Sequence, residues 1–336
     1  MRFRGSGTPD PGAAGPAETM APATAEQETA GPPGGGGAEL RTALKHLRTE
    51  VRGRAFAWKL LLCGLLTAVG IVTVLRPETW CRITGVLLLG CMYAHAAELQ
   101  HQTLHGLGFR NRRANAAAGI VLGIPMLISF AAYRVTHLRH HRYLGTPLNR
   151  EFFDYGNQYG ADRPRSRRDA LLSWAVRFSM IHHYGLFLRN LARSLLGRDF
   201  EGETATTSRR IRRDHRIALA VFAGLTALSA ALREPVVVVV WVLPLVLVAA
   251  PVHAAIELPE HHGCDTLDED PFANTRTIRS NRFMTWFTNG NNFHVEHHLV
   301  PNLPIERLPD AHAVVRDRLR HFHPSYTHYF YKLVRK

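Results

Sequence analysis

Cysteine is scarce in this sequence. It occurs four times in 336 residues, at positions 63, 81, 91 and 264, and none of these positions form a CxxC pair. This excludes a small disulfide-stabilised fold, a zinc ribbon and an iron–sulfur cluster. There is also no apolar stretch before Ala55, so we expect no secretory signal and a cytosolic start. A chain without clusters of this kind must obtain any electrons it uses from a partner.

Residues 1–38 are rich in Gly, Pro, Ala and Thr and lack apolar periodicity, which predicts a disordered tail before a single domain over residues 39–336. The chain carries 41 Lys+Arg against 27 Asp+Glu, a net charge of +14. No base-reading motif accompanies this charge, so we predict no nucleic-acid partner. We assign the charge to membrane topology and to contact with anionic lipid headgroups.

Long apolar runs are abundant. At about 1.5 Å per residue, a run of about 20 residues crosses a hydrocarbon core. Four runs, residues 55–75, 83–100, 217–232 and 235–256, predict transmembrane helices in two hairpins with short turns. Residues 134–216 are rich in arginine and the turns are not, which places both termini and the central block in the cytosol.

A fifth apolar segment, residues 116–133, contains Gly119, Gly123 and Pro125 near its middle. A single crossing there would separate the flanking histidines, so we predict a re-entrant or interfacial pair of short helices broken near residues 123–125. The predicted fold is therefore all-α and integral to the membrane. It has four transmembrane helices, interfacial or re-entrant helices, and a cytosolic helical cap that carries the histidines.

Three groups of histidines stand at the ends of apolar segments. Spacings of three and four residues on a helix place imidazole rings on one face. All three groups meet the same predicted boundary, and eight rings exceed the four ligands of a structural zinc site. We predict two metal ions, each with several nitrogen ligands and an open position. The eight are His101 and His105 in HQTLH, His137, His140 and His141 in HLRHH, and His294, His297 and His298 in HVEHH.

The segment ELPEHHG, residues 257–263, offers a ninth ligand. Glu257 and His261 are four residues apart, so we predict His261 as the ligand and expect His262 to point elsewhere. His253 either supports a ligand or bonds to a neighbouring carbonyl. Side chains suited to fixing a ligating ring are Glu98, Asp154, Glu257, Glu260, Glu296, Asn291 and Asn292. Other histidines, at positions 46, 182, 183, 215, 312, 321, 323 and 328, are predicted to face solvent or headgroups.

The order HxxxH, HxxHH, HxxHH resembles the histidine boxes of the integral-membrane fatty acid desaturase and hydroxylase superfamily. The stretch NNFHVEHHLVPNLPIERLP, from Asn291 to Pro309, is most similar to acyl-lipid desaturases, and the resemblance covers about residues 55–320. Gln102 and Val300 stand where many members have an acidic residue and a phenylalanine.

The resemblance implies a non-haem di-iron centre, with the eight box histidines as iron ligands and His261 as an additional one. It also implies dioxygen as co-substrate and a separate one-electron donor of ferredoxin or cytochrome type with its reductase. The leading functional prediction is a fatty acyl lipid desaturase of the cytoplasmic membrane, reached by its substrate through a tunnel of apolar residues.

Two alternatives remain open at this point. A hydroxylase or ketolase of a lipid or carotenoid-type substrate would use the same di-iron site, because the outcome depends on where the substrate is held after the first hydrogen abstraction. A histidine-rich metal transporter is the alternative from a different class. It predicts ionisable residues along the middle of membrane helices, whereas those stretches are almost purely aliphatic here.

Overall fold

The computed structural model describes residues 40, 42–153, 155 and 166–335, most of which are helical. The tail predicted over residues 1–38 and the candidate Asp154 lie outside the described residues. The longer helices of the first two-thirds are Gly53–Val74, Thr79–Leu104, Arg112–Gly123, Phe130–Tyr143, Arg167–Ser179, Ile181–Leu195 and Ala205–Leu232.

The last third begins with a helix that changes its winding. Its parts are the π-helical turns Val238–Val242 and Leu245–Ala249, the α-helix Ala250–Glu257 and the 3-10 turn Leu258–Glu260. Short helices follow at Pro271–Asn274, Arg282–Phe287, His294–Leu299, Leu308–Val315 and Tyr326–Val334. Single 3-10 turns lie at Lys45–Leu47, Ile305–Arg307 and Arg316–Arg318, and the two-residue strands Thr277–Ile278 and Phe322–His323 pair in parallel.

Within the described part of the chain, three helices are long and apolar enough to cross a membrane: Gly53–Val74, Ala205–Leu232 and Val238–Glu260. Four were predicted. The span expected at 83–100 lies in the 26-residue helix Thr79–Leu104, whose second half carries buried polar side chains such as Glu98, Gln100 and Gln102. The span expected at 217–232 forms the second half of the 28-residue helix Ala205–Leu232.

The predicted break at residues 123–125 is present between Arg112–Gly123 and Phe130–Tyr143. Pro125 lacks an N–H, so the helix cannot continue unchanged, and side chains from other elements bond to the exposed carbonyls. Trp241 Nε1 donates to the Pro125 carbonyl at 2.9 Å, and Gln100 Nε2 donates to that of Gly119 at 2.8 Å. His183 Nε2 lies 3.2 Å from the Met126 carbonyl.

The helix Phe130–Tyr143 starts at a capped and anchored terminus. Ser129 Oγ accepts from the Ala132 N–H, as an N-cap does. Buried Asp214 accepts from Ser129 Oγ at 3.1 Å and from the Ala131 N–H at 2.8 Å. These contacts join the start of this helix to Ala205–Leu232, and they fix the direction in which its histidines point.

The C-terminal part has a separate apolar core, formed by Phe272, Phe293, Leu299 and Leu308 among others, and Leu44 from the N-terminal side packs into it. The third group of histidines lies on the short helix His294–Leu299, which is buried along its whole length. Packing on both sides replaces the stability that a six-residue helix cannot supply by itself.

Candidate metal centre

Each histidine group is placed by a different element. His101 lies in the last turn of Thr79–Leu104, and His105 is the residue that ends it. The second group lies on Phe130–Tyr143 and the third on His294–Leu299. His261 follows the 3-10 turn Leu258–Glu260, and Pro259 is one of the first residues of that turn.

The structure brings all nine predicted histidines together in two groups. Within each group, one ligand-type nitrogen per residue lies within 4.8 Å of every other. One group is His101, His105, His137, His141 and His297, and the other is His140, His261, His294 and His298. The second histidine box contributes to both groups, so the two sites adjoin.

In the first group the nitrogens converge on His137. Its Nε2 lies 2.7 Å from His101 Nε2 and 2.9 Å from the Nε2 atoms of His105 and His141. His141 Nε2 is also 3.0 Å from His297 Nε2. One ring nitrogen has a single proton or a single lone pair, so it cannot form hydrogen bonds to three others at once. A cation between them resolves this conflict.

The second group has the same character. His298 Nε2 lies 3.1 Å from His294 Nε2 and 3.3 Å from His140 Nε2. His261 Nε2 is buried and has no hydrogen-bond partner among the residues that the structure describes. Two nitrogens bound at right angles to one ion, each at about 2.1 Å, are about 3 Å apart. The residues present therefore fit two metal ions.

Burial keeps these rings in the neutral form that ligates metals. Desolvation, reinforced by the neighbouring rings, holds the pKa values of His137, His141 and His297 well below the usual value. Desolvation also lowers the pKa of His261 to about 4. His140 differs: burial lowers its pKa, but the Glu151 carboxylate outweighs that effect and the pKa is raised.

Three of the rings are oriented by oxygen acceptors at Nδ1, which leaves Nε2 for a metal. His140 Nδ1 lies 3.0 Å from Asn149 Oδ1 and 2.9 Å from Glu151 Oε1. His261 Nδ1 donates to the Asn274 carbonyl at 2.9 Å. Asn149, Glu151 and Asn274 were not among the predicted residues, and their one sequence signal is that Asn149 and Glu151 follow the second box closely.

His294 is the third of these rings, and its acceptor was a predicted candidate. Its Nδ1 lies 3.2 Å from Asn291 Oδ1. The prediction for Glu296 was wrong, because its oxygens are 2.6 Å from His312 Nδ1 and Thr277 Oγ1 and orient no ligating ring. Asn292 accepts from Thr288 and donates to backbone carbonyls.

Several histidines predicted to face solvent are buried. His183 and His215 are 3% exposed, and His215 Nδ1 lies 2.8 Å from Ser194 Oγ. His312 is tied to Glu296, and His323 lies against His328. The prediction failed because it considered spacing alone, and a histidine without metal-ligand spacing can still be a buried hydrogen-bonding residue. His46 and His182 are exposed, as expected.

His262 points away from the two groups, as predicted, with Nδ1 3.1 Å from Tyr329 Oη. His253 Nδ1 lies 3.1 Å from Glu257 Oε2 and 3.0 Å from Tyr155 Oη, so the partners of this nitrogen among the described residues are side chains. Buried Arg276 holds the turn before His261 in place by donating to the carbonyls of Pro259 and His262. No sequence signal pointed to Arg276.

A partly open cavity with about 30 Å³ of space for water adjoins both groups. Its wall includes histidines from each group, the aromatic residues Tyr133 and Phe153, and three glutamates at positions 151, 257 and 260. The apolar tunnel expected from the sequence stays a prediction, because this cavity lies at the histidines themselves.

The sequence profile described as fatty acid desaturase matches residues 78–330, which is most of the chain. This chain belongs to the fatty acid desaturase family. Among curated proteins, none matches it. Family membership makes the chain an oxidoreductase, with an acyl lipid substrate and a redox partner in general terms. The two histidine groups are consistent with the di-iron sites for which desaturases are known.

Proposed function

We propose that this desaturase-family chain is a membrane-bound, O2-dependent fatty acyl lipid desaturase with two iron ions. One ion is held by His101, His105, His137, His141 and His297, and the other by His140, His261, His294 and His298. The observation that carries the proposal is the convergence of buried Nε2 atoms in two adjoining groups. When bound, iron supplies with dioxygen the oxidising power needed to break an unactivated C–H bond.

The overall reaction takes two hydrogens from adjacent carbons of the acyl chain. Dioxygen is reduced to two waters, and the remaining two electrons and two protons come from outside. The four cysteines of the chain are free, so we propose a separate donor of ferredoxin or cytochrome type with its reductase. The chain's own residues hold neutral imidazoles in place and exclude bulk water from them.

We propose four crossings, with Thr79–Leu104 as the span beside Gly53–Val74. Both termini, the Arg-rich block and the histidines would lie on the cytosolic side of the cytoplasmic membrane. The helices Arg167–Ser179 and Ile181–Leu195 expose Leu171, Ile181 and Leu188 and are proposed to lie at the interface. We assign residues 39–336 to one catalytic domain.

Hydroxylation or ketolation of a lipid at the same site is the second candidate. The polar side chains of the cavity favour it, because an oxygenated product finds hydrogen-bonding partners there. Lipid profiles of cells with and without the gene separate the two candidates, since one adds double bonds and the other adds hydroxyl or keto groups. A metal transporter is disfavoured, because its path would need ionisable groups in the mid-helix stretches that are aliphatic here.

We expect the purified protein to hold about two irons per chain. His140→Ala should lose both activity and the iron of the four-histidine site, because the variant removes one of the few ligands of that site. Metal analysis and turnover with an added donor measure this. His182→Ala is the matched control, since that ring is exposed and lies in neither group. Stoichiometric zinc in the native protein, with full activity in His140→Ala, would contradict the proposal.

A further inference from the structure

The cavity beside the histidines contains a carboxylate that the metal sites do not use. Glu151 lies against His140, and Glu260 Oε2 lies 3.1 Å from His294 Nε2. Glu257 lines the same cavity, but among the described residues it contacts none of the nine histidines. Its presence therefore needs a reason other than metal binding.

Glu257 is held in a fixed position by two buried residues. Tyr155 Oη donates to Glu257 Oε2 at 2.9 Å, and His253 Nδ1 lies 3.1 Å from the same oxygen. Tyr155 and His253 are 4% and 1% exposed, so neither can move freely. Glu257 Oε1 has no hydrogen-bond partner within the described part of the chain. We refer to Tyr155, His253 and Glu257 as the polar wall.

A plain methylene chain is a poor occupant of this cavity. It would remove water from the carboxyl group of Glu257 and offer no hydrogen bond in return, and that loss is unfavourable whether the group is ionised or neutral. A hydroxyl or an ammonium group would instead donate to Oε1. Tyr133, Phe153 and Leu258 provide apolar surface in the same cavity for the adjoining hydrocarbon.

We propose that the polar wall binds a hydrogen-bond-donating head group of the substrate, a hydroxyl or an amine. The substrate is then an amphiphile oxidised close to its head, and not in the middle of a plain acyl chain. This inference rests on the proposed function, because it takes the nine histidines as the reaction centre.

The test compares three C18 probes that differ only in the head: 2-amino-1,3-octadecanediol, 1,2-octadecanediol and methyl octadecanoate. Each is titrated into the iron-loaded full chain in detergent at the same mole fraction, and binding is measured at equilibrium. One hydrogen bond to a carboxylate corresponds to about a tenfold difference in Kd. We therefore expect both hydroxylated probes to bind at least tenfold more tightly than the ester. Tighter binding of the amino diol than of 1,2-octadecanediol would identify a cationic head group.

Glu257→Leu is the more decisive variant, because we expect it to increase the affinity for the ester, and misfolding cannot increase affinity. The ester should bind more tightly than to the native chain, and the preference for hydroxylated probes should disappear. Glu257→Gln, which conserves volume, should weaken the amino diol about tenfold and leave the ester within twofold. Glu234→Leu is the matched control, since Glu234 is exposed in the turn after Ala205–Leu232.

Equal binding of all three probes, or an unchanged preference in both Glu257 variants, would overturn the inference. Iron content is recorded on every sample. A chain that binds no iron but discriminates among the probes would count against the proposed function alone. A chain with two irons and no discrimination would count against the polar wall alone.

Discussion

Asn291 connects a histidine of the four-histidine group to the neighbouring carboxylate. Its Nδ2 donates to Glu260 Oε1 at 2.9 Å, so its carbonyl oxygen must be the atom that faces His294 Nδ1. That oxygen can only accept, which places the ring proton of His294 on Nδ1. His294 Nε2 then keeps its lone pair and faces His298 Nε2 and Glu260 Oε2. One amide thus sets the tautomer needed for metal binding.

Glu296 shows a different use of a polar residue in the same box. It is fully buried, and its two oxygens lie 2.6 Å from His312 Nδ1 and Thr277 Oγ1. A buried carboxylate is tolerated only when such partners are present. Because Glu296 lies on the same short helix as His294 and His297, its partners hold that helix in place.

We expect His312→Ala to lower the free energy of unfolding by about 3 kcal/mol, because it leaves Glu296 with one partner fewer in a buried site. Iron should also be retained less well on dialysis, since the third box loses a positioning contact. Thermal unfolding in detergent and metal analysis measure the two effects. His182→Ala, at an exposed position, is the comparison. If the His312→Ala protein is as stable as this control and holds as much iron, the contact between His312 and Glu296 is dispensable.

Spacing predicted that the rings within a box share a face, because positions three and four residues apart on a helix do so whatever the helix packs against. It did not predict that the second and third boxes would each be divided between the two groups. It could not identify the groups that orient them. Asn149 and Asn274 reach His140 and His261 across loops, and that pairing depends on tertiary structure. The same limit explains why Glu296 was assigned to a ligand when it faces His312.

At the scale of elements, the helix Thr79–Leu104 is placed by a close approach at Gly90. A Cβ added there would lie 2.7 Å from the Pro244 carbonyl oxygen and would overlap Val248. Glycine therefore lets this helix touch the π-helical segment around Leu245–Ala249. This contact lies three helical turns before His101, so it bears on where the first box stands. A glycine in an apolar run gave no sequence signal of this role.

Gly90→Ala should destabilise the protein by about 2 kcal/mol, because the obstructing atoms include backbone that cannot rotate away. Gly64→Ala is a matched control in the helix Gly53–Val74, since nothing lies within 4 Å of its added Cβ. That variant should be neutral or more stable by up to about 1 kcal/mol from helix propensity. Thermal unfolding of both variants in one detergent is the measurement. Equal stability of the two variants would mean that the helices separate without cost.

At the scale of the whole molecule, the histidine groups join the two ends of the sequence. The first hairpin supplies His101, the broken helix supplies His137 and His140, and the C-terminal part supplies His297. Apolar patterning predicted the break in the fifth apolar segment, because Pro125 has a local effect. The same patterning treated residues 83–100 as a uniformly apolar span. The helix Thr79–Leu104 that contains them carries polar side chains in its second half, and these are buried by other elements.

The proposed four crossings would place the two hairpin turns on one face of the membrane and the Arg-rich block on the other. Each of these regions has an exposed residue that can be replaced by cysteine for labelling. Glu78 and Glu234 lie in the two turns, and Arg198 lies in the Arg-rich block. In a background without native cysteines, we expect a membrane-impermeant maleimide to label Glu78→Cys and Glu234→Cys in intact cells. Arg198→Cys should be labelled only after permeabilisation. Labelling of Glu78→Cys and Glu234→Cys from opposite sides would rule out four crossings, because the number of spans between them would then be odd. The boxes could then meet only if another segment reversed the chain.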